Sequence, residues 1–372
     1  MISIFCSIVF GFLLIRFFVT LYNAITQPIL PQFKNQNFAE SDLRTKISIL
    51  IPARNESKNI GNLLDNLLII SDLIFFNYEI IVLNDHSSDN TQQIVEGFLH
   101  QNLNLRLIIG QDLPQKWLGK NWACHQLAMN STGDFLLFLD ADVSLKDGAV
   151  INAIQRLKEE HLDLLSLFPE QKMQTFGEQT IVPLMHFLLL NLLPLRLVRT
   201  SSFASLSAAN GQFMLFDAAN YRKYLFHEKV KSNILDDVNI MRIIKLAMLN
   251  GEVLLGNGQV YCRMYSSGNE AFKGFSKNLF LGFDKNIVGF QLYFLFIFWL
   301  WIPFFIFADW RWSLLSVVLI LSQRAMISQL SNQDTVKNLL FHPLQMVVYV
   351  CIGINSMYLH LFNKVQWKGR KV

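Results

Sequence analysis

Residues 287–308 read IVGFQLYFLFIFWLWIPFFIFA, an apolar run with no charged residue. As a helix rising 1.5 Å per residue it extends about 33 Å, enough to cross the roughly 30 Å hydrocarbon core of a bilayer. The polar DWRW at 309–312 closes it as an interfacial flank would. The chain opens with a second such run, ISIFCSIVFGFLLIRFFVTLYNA after Met1, in which Arg16 is the only charge. It lacks the basic start and small-residue cleavage site of a signal peptide, so residues 1–25 are expected to stay as a transmembrane helix. Arg16 would then snorkel to the interface or face other helices. Ser313–Leu330 and Leu339–Phe362 are weaker spans, carrying Arg324 and His342-Pro343. Ile181–Val198 is interrupted by Pro183, Asn191, Pro194 and Arg196 and is expected as an interfacial or buried core helix.

Side preference follows from the basic residues. Lys34, Arg44 and Lys46 follow the first span, and Lys364, Lys368, Arg370 and Lys371 end the chain, which favours the cytoplasm for both segments. Three full C-terminal crossings would carry the tail outside. A cytoplasmic tail therefore needs one of the weaker segments to re-enter or lie at the interface. The chain is expected in the cell (inner, cytoplasmic) membrane as a multi-pass protein.

Overall, 52% of residues are hydrophobic and 16% charged, against about 25% charged in soluble domains. The net charge of +4 has no long basic run behind it, which excludes the dense phosphate contacts of a nucleic-acid binder and suits contact with membrane lipids. Cys6, Cys124, Cys262 and Cys351 are far apart and form no CxxC pair, which excludes a cysteine zinc site and suits a reducing compartment.

Between the apolar ends the pattern changes. KISILIP (46–52) precedes a helical stretch, ESKNIGNLLDNLLIIS; YEIIVLND (78–85) precedes TQQIVEGFLHQ; LRLIIG (105–110) precedes a helix through WACHQLAMNS; GDFLLFLDAD (133–142) follows. Continuous apolar strands alternating with helices predict a mostly parallel α/β sheet with helices on both faces. The strands end in PARNES, NDHSSD and DAD. Ligands of open α/β sheets lie beyond the carboxyl ends of the strands, so these clusters are expected to converge.

Asp140 and Asp142 follow the apolar LLFL, which places them at a strand end. Two carboxylates so spaced suit a hard divalent cation, Mg2+ or Mn2+, whose other positions diphosphate oxygens and water would fill. Such an ion offsets charge on a departing nucleoside diphosphate. Ser88, Asp89 and Asn90 suit helix capping, whereas Asp85 would face the pocket and accept from a nucleobase N–H. Glu56 and Ser57 also suit the first turn of a helix. Asp236 and Asp237 on their own suit a helix N-terminus. The histidines His86, His125, His186 and His227 are expected in structural or capping roles.

Together, IPARNES (51–57), VLNDHSSDNT (82–91), LPQKWLGKNWA (113–123), GDFLLFLDADV (133–143), ANGQFMLF (209–216), LDDVNIMR (235–242) and RMYSSGNEAFKGFSKN (263–278) resemble the family-2 glycosyltransferases of the GT-A fold. The likeness covers about residues 46–285. WLGKNWA and GFSKN look like the membrane-bound branch that includes diaponeurosporenoate (carotenoid) and hopanoid-associated glycosyltransferases. By this resemblance Pro52, Ala53, Arg54 and Glu56 line a uridine pocket, Asp85 holds the uracil, Lys120 sits near the diphosphate, Asp140 contacts ribose or sugar and Asp142 binds the metal. Asn84-Asp85-His86 stands where many members have Asp-Asp-Gly. Asp237 takes the catalytic-base position with Asp236 beside it, and a neighbouring carboxylate raises the pKa of a base.

The expected organisation is a transmembrane helix (1–25), a linker (26–45), a GT-A catalytic domain (46–285), a C-terminal membrane region of two or three helices (286–363) and a basic tail (364–372). The expected activity is inverting, metal-dependent transfer from a nucleotide-sugar donor, UDP-linked, to a hydroxyl or carboxyl oxygen of a lipid-soluble acceptor. A polyprenyl-phosphate glycosyltransferase and a catalytically inactive membrane scaffold are the alternatives. A processive synthase would show QxxRW after the base, and the sequence has none.

Overall fold

Ile47, Ile49, Leu50 and Ile51 are all fully buried, so both faces of the strand Lys46–Ala53 are covered, as its unbroken apolar run requires. This strand is β1. The others are β2 (Asn77–Asn84), β3 (Leu105–Ile109), β4 (Phe135–Leu139), β5 (Val143–Leu145), β6 (Leu164–Phe168), β7 (Glu170–Gln171), β8 (Phe213–Asp217), β9 (Gly251–Leu255) and β10 (Val260–Cys262). Seven of them form one sheet in the order β3-β2-β1-β4-β8-β6-β9. It is mostly parallel, as the sequence predicts; the exception is β8, antiparallel to both β4 and β6. The chain builds outward from β1 through β2 to β3 and then returns to place β4 on the other flank of β1. Such a reversal is where open α/β sheets bind their ligands, at the carboxyl ends of the strands, here those of β1 and β4.

This computed structural model describes residues 2–33, 45–367 and 370–371. Lys34, Arg44 and Lys368, used above to argue sidedness, lie outside the described residues, as does most of the expected linker.

Packing divides the chain into two units. One comprises Pro28–Glu170 and Arg196–Arg263 and holds the whole seven-stranded sheet. Its core joins β1, β2 and β4 to the helices Ile60–Ile69 and Ala149–Glu159 through Leu63, Leu67, Val150, Ile154 and Leu157. Entry into β4 needs glycine: a Cβ at Gly133 would lie 2.6 Å from the Ser48 backbone nitrogen, where Gly133 N–H instead donates to Ser48 Oγ at 2.9 Å.

The other unit comprises Met1–Gln27, Gln171–Leu195 and Met264–Val372. Among the described residues, four of its helices are long and apolar enough to cross a membrane: Ser3–Thr26, Ile287–Phe307, Trp310–Leu330 and Thr335–Leu361. The last two begin a few residues earlier than the apolar runs suggest. Asp309 and Asp334 cap them, accepting from the N–H groups of Arg311 and Lys337. Pro343 lies inside the last helix, which continues through it. Of the two expectations for the interrupted stretch near 181–198, the core helix is observed: Pro183–Leu192 buries Leu184, His186, Phe187, Leu190 and Asn191.

Candidate active site

The site is built from loops that leave the carboxyl ends of β1, β2 and β4. After β1, Asn55 takes a left-handed conformation (φ 52°), as does His86 after β2 (φ 50°). The loops then lock together: Asn55 Oδ1 accepts from Ser88 N–H at 2.8 Å, and Asn55 N–H donates to Ser87 Oγ at 3.0 Å. Glu56 and Ser57 do not begin the following helix, which starts at Ile60. Their N–H groups donate instead to Thr91 Oγ1 (2.8 Å) and Asp89 (3.1 Å) on the next loop. Asp89 thereby ties the two loops together while also accepting from Thr91 N–H.

Asp85 is buried, its N–H held by Ala53 O at 2.8 Å. Arg54 Nη1 donates to the Asp85 carbonyl at 2.6 Å and lies 3.6 Å from Asp85 Oδ2. The structure therefore joins Arg54, Ala53 and Asp85 into one wall, with Pro52 half-buried beside them.

The second group centres on Lys120, in the first turn of the helix Gly119–Met129. Its Nζ lies 2.7 Å from Asp140 Oδ1. Burial pulls the ammonium pKa down, but Asp140 and then Asp236 outweigh it and hold it above the ordinary lysine range. Asp236 and Asp237 open the helix Asp236–Leu246, whose cap Leu235 offers no side-chain bond. Burial raises the Asp236 carboxyl, against the pull of Lys120. Asp237 accepts from Gly211 N–H (3.0 Å, Oδ2) and Val238 N–H (2.8 Å, Oδ1). Burial, then Asp236, pushes its carboxyl up to about 6. Gly211 is constrained by the same groups: a Cβ there would stand 3.2 Å from Lys120 Nζ and 3.7 Å from Asp237 Oδ2.

Asp142 fits a cation. Its Oδ1 is buried and has no hydrogen-bond partner, and burial, then the charges of Asp140 and Glu56, push its carboxyl up to about 7. A buried carboxylate oxygen left in this state is stabilised by a positive ion. Among the described residues no group of three or more His, Cys, Asp or Glu side chains is placed to hold a metal. A cation held by one or two of these carboxylates would leave its other positions to donor phosphates and water.

Residues 48–217 match the model of Glycosyl transferase family 2. Over these residues the chain is similar to the family-2 glycosyltransferases. Curated relatives agree: 28% identity over 252 residues to the 4,4'-diaponeurosporenoate glycosyltransferase of Staphylococcus haemolyticus (strain JCSC1435), covering 65% of this chain. The Staphylococcus aureus (strain USA300) protein of the same name is 31% identical over 134 residues, covering 36% of this chain and 34% of its own length. The chain spans 63% of the length of the first of these relatives. Among solved structures, a mannosyltransferase from Pyrobaculum calidifontis, in complex with GDP-Man and Mn2+, shares the fold with a TM-score of 0.54 at 14% identity, over 97% of this chain and 100% of its own.

The family-2 domain model ends before Asp236 and Asp237, which reach the site through Lys120 and Gly211. Two participants escape a reading by residue type. Gly211 was visible only as part of ANGQ, and Cys262, whose thiol bonds Asp142, sits in an ordinary apolar strand, β10. The expected structural role of His227 is matched by its buried contact with the Tyr221 hydroxyl at 2.6 Å.

Proposed function

We propose that this protein is an inverting glycosyltransferase that moves a sugar from a UDP-linked donor to a hydroxyl or carboxyl oxygen of a lipid-soluble acceptor of the carotenoid, hopanoid or glycolipid type. The observation that carries the reading is the placement of Asp237: two backbone N–H groups, of Gly211 and Val238, orient its carboxylate, and burial, then Asp236, raises its pKa to about 6. A base poised just below neutrality is ionised at pH 7 yet basic enough to take a proton in the transition state.

In this mechanism Arg54 and Asp85 hold the nucleobase, Asp85 accepting its N–H. Lys120 and Asp140 hold the diphosphate and sugar. An acceptor hydroxyl attacks the anomeric carbon from the face opposite the diphosphate. The new carbon–oxygen bond forms as the bond to phosphate oxygen breaks, Asp237 takes the hydroxyl proton and UDP departs with the electron pair. A carboxylate acceptor attacks already ionised and needs no base. A divalent ion at Asp142 would neutralise charge on the leaving diphosphate. Lys120 adds its own positive charge there. The catalytic domain faces the cytoplasm, where nucleotide sugars are made, and the four apolar helices hold it at the membrane.

The name of the Staphylococcus relatives supports a carotenoid-type acceptor. The test is incubation of the purified protein in detergent with extracted lipids and a panel of radiolabelled nucleotide sugars. Label in a lipid, dependent on a UDP-sugar and lost in chelator, is the expected result. No labelled lipid from any donor overturns the proposal.

A further inference from the structure

Arg16 and Arg324 are buried inside the helical unit, and among the described residues neither has a carboxylate partner. Arg16 Nε donates to Asn191 Oδ1 at 3.2 Å and its Nη2 to Gln323 Oε1 at 3.3 Å. Arg324 Nη2 donates to Asn338 Oδ1 at 3.0 Å and Gln345 Oε1 at 2.6 Å. Arg324 Nε and Nη1 are buried and make no hydrogen bond, and neither does Nδ1 of the buried His342. Both guanidinium carbons lie over the same ring, Phe187, at 5.4 Å and 5.3 Å from its centroid. Two cations thus share one aromatic ring amid neutral amides, with unused N–H groups on one of them.

An ionised group inside an apolar helical bundle is expensive without a counter-charge, and such residues mark ligand or ion sites. Amide oxygens satisfy some guanidinium N–H groups but supply no negative charge. The fork of N–H donors on arginine matches the paired oxygens of a carboxylate or phosphate.

We propose that Arg16 and Arg324, with His342, bind the oxyanion of an amphiphile, a carboxylate or phosphate on an apolar chain, within the membrane unit. The apolar helices around the pair favour an amphiphile over a free ion, because the chain of the ligand replaces lipid contacts as its head meets the arginines. The inference rests on the glycosyltransferase reading only in that the acceptor itself would be such an anionic lipid; a resident membrane lipid satisfies the same chemistry.

The experiment titrates the purified full-length protein in nonionic detergent, without nucleotide sugar, with oleate, methyl oleate, phosphatidylglycerol, phosphatidylcholine and inorganic phosphate. Binding is followed by native mass spectrometry and thermal shift. Saturable binding of oleate but not its methyl ester, weakened at least tenfold in Arg324→Gln and largely retained in Arg324→Lys, is expected. Preference for phosphatidylglycerol over both oleate and phosphatidylcholine, with the same variant pattern, assigns the site to a lipid headgroup. Equal binding of acid and ester, unchanged affinity in Arg324→Gln, or binding of inorganic phosphate alone overturns the proposal. If Arg324→Gln does not fold, the comparison of acid and ester on the unaltered protein decides. With no donor present, a failure of sugar transfer would overturn the function proposed above and leave this result standing.

Discussion

Lys120 Nζ sits 2.7 Å from Asp140 Oδ1, so the cation proposed for the diphosphate is already anchored by the carboxylate proposed for the sugar. Removing the charge frees Asp140 and leaves Asp236 without its compensating neighbour. Lys120→Met should lower kcat/KM on the order of 10- to 100-fold, the size of one or two charge-assisted contacts. Steady-state kinetics with a fixed lipid acceptor checks this; an unchanged kcat/KM would remove Lys120 from the donor site.

Asp237 and Asp236 are adjacent in sequence but differently placed: Asp237 is held by Gly211 N–H, whereas Asp236 is buried near Lys120. If Asp237 is the base, Asp237→Asn keeps the shape and much of the hydrogen bonding but cannot take a proton. Transfer to a hydroxyl acceptor should fall roughly 10²- to 10⁴-fold, with UDP affinity by calorimetry within about threefold of wild type. Asp236→Asn should cost less. Near wild-type transfer by Asp237→Asn would make the pair structural.

The Asp237 carboxyl, raised from 3.8 to about 6, sets a pH dependence. As a base it works ionised, so kcat/KM for a hydroxyl acceptor should fall about tenfold per pH unit below pH 6 and level off above it. Stability runs the other way. A folded-state pKa above the unfolded value means that the folded chain holds this proton more tightly between about pH 4 and 6. The stabilisation is complete below pH 4 and lost as pH rises to 6. Asp237→Asn should flatten both profiles in that window, measured by initial rates and by urea unfolding.

The buried, unpartnered Oδ1 of Asp142 predicts a metal response readable without turnover. Mn2+ with UDP should raise Tm of the wild-type protein by several degrees at saturating ligand, and Asp142→Asn should abolish most of the metal-dependent part while still folding. An equal metal-dependent shift in both proteins would place the ion elsewhere.

Leu103 is almost wholly exposed, at 98%, on the sheet-bearing unit. A cysteine in place of Leu103 should resist a membrane-impermeant maleimide in intact cells and react after permeabilisation. Labelling from outside would reverse the proposed orientation.

The strands, the apolar helices and the clustering of Asp85, Asp140 and Asp142 at strand ends were legible in the sequence because each depends on a short local pattern. An unbroken apolar run is a buried strand, and the first polar residues after it emerge at its end. Tertiary structure decided what depends on chain closure. The antiparallel insertion of β8 brings Gly211 against Asp237, 26 residues away, and no periodicity records that approach. Glu56 and Ser57 look like the first turn of a helix, yet Thr91 and Asp89 capture their N–H groups and delay the helix to Ile60. Residues 171–195 look like part of the α/β region by position, but Pro183–Leu192 buries its apolar face within the unit of the terminal helices. Arg16 and Arg324, some 300 residues apart in sequence, meet over Phe187. Local propensity is set by neighbours in the chain, whereas the compensation of a buried charge is set by neighbours in space.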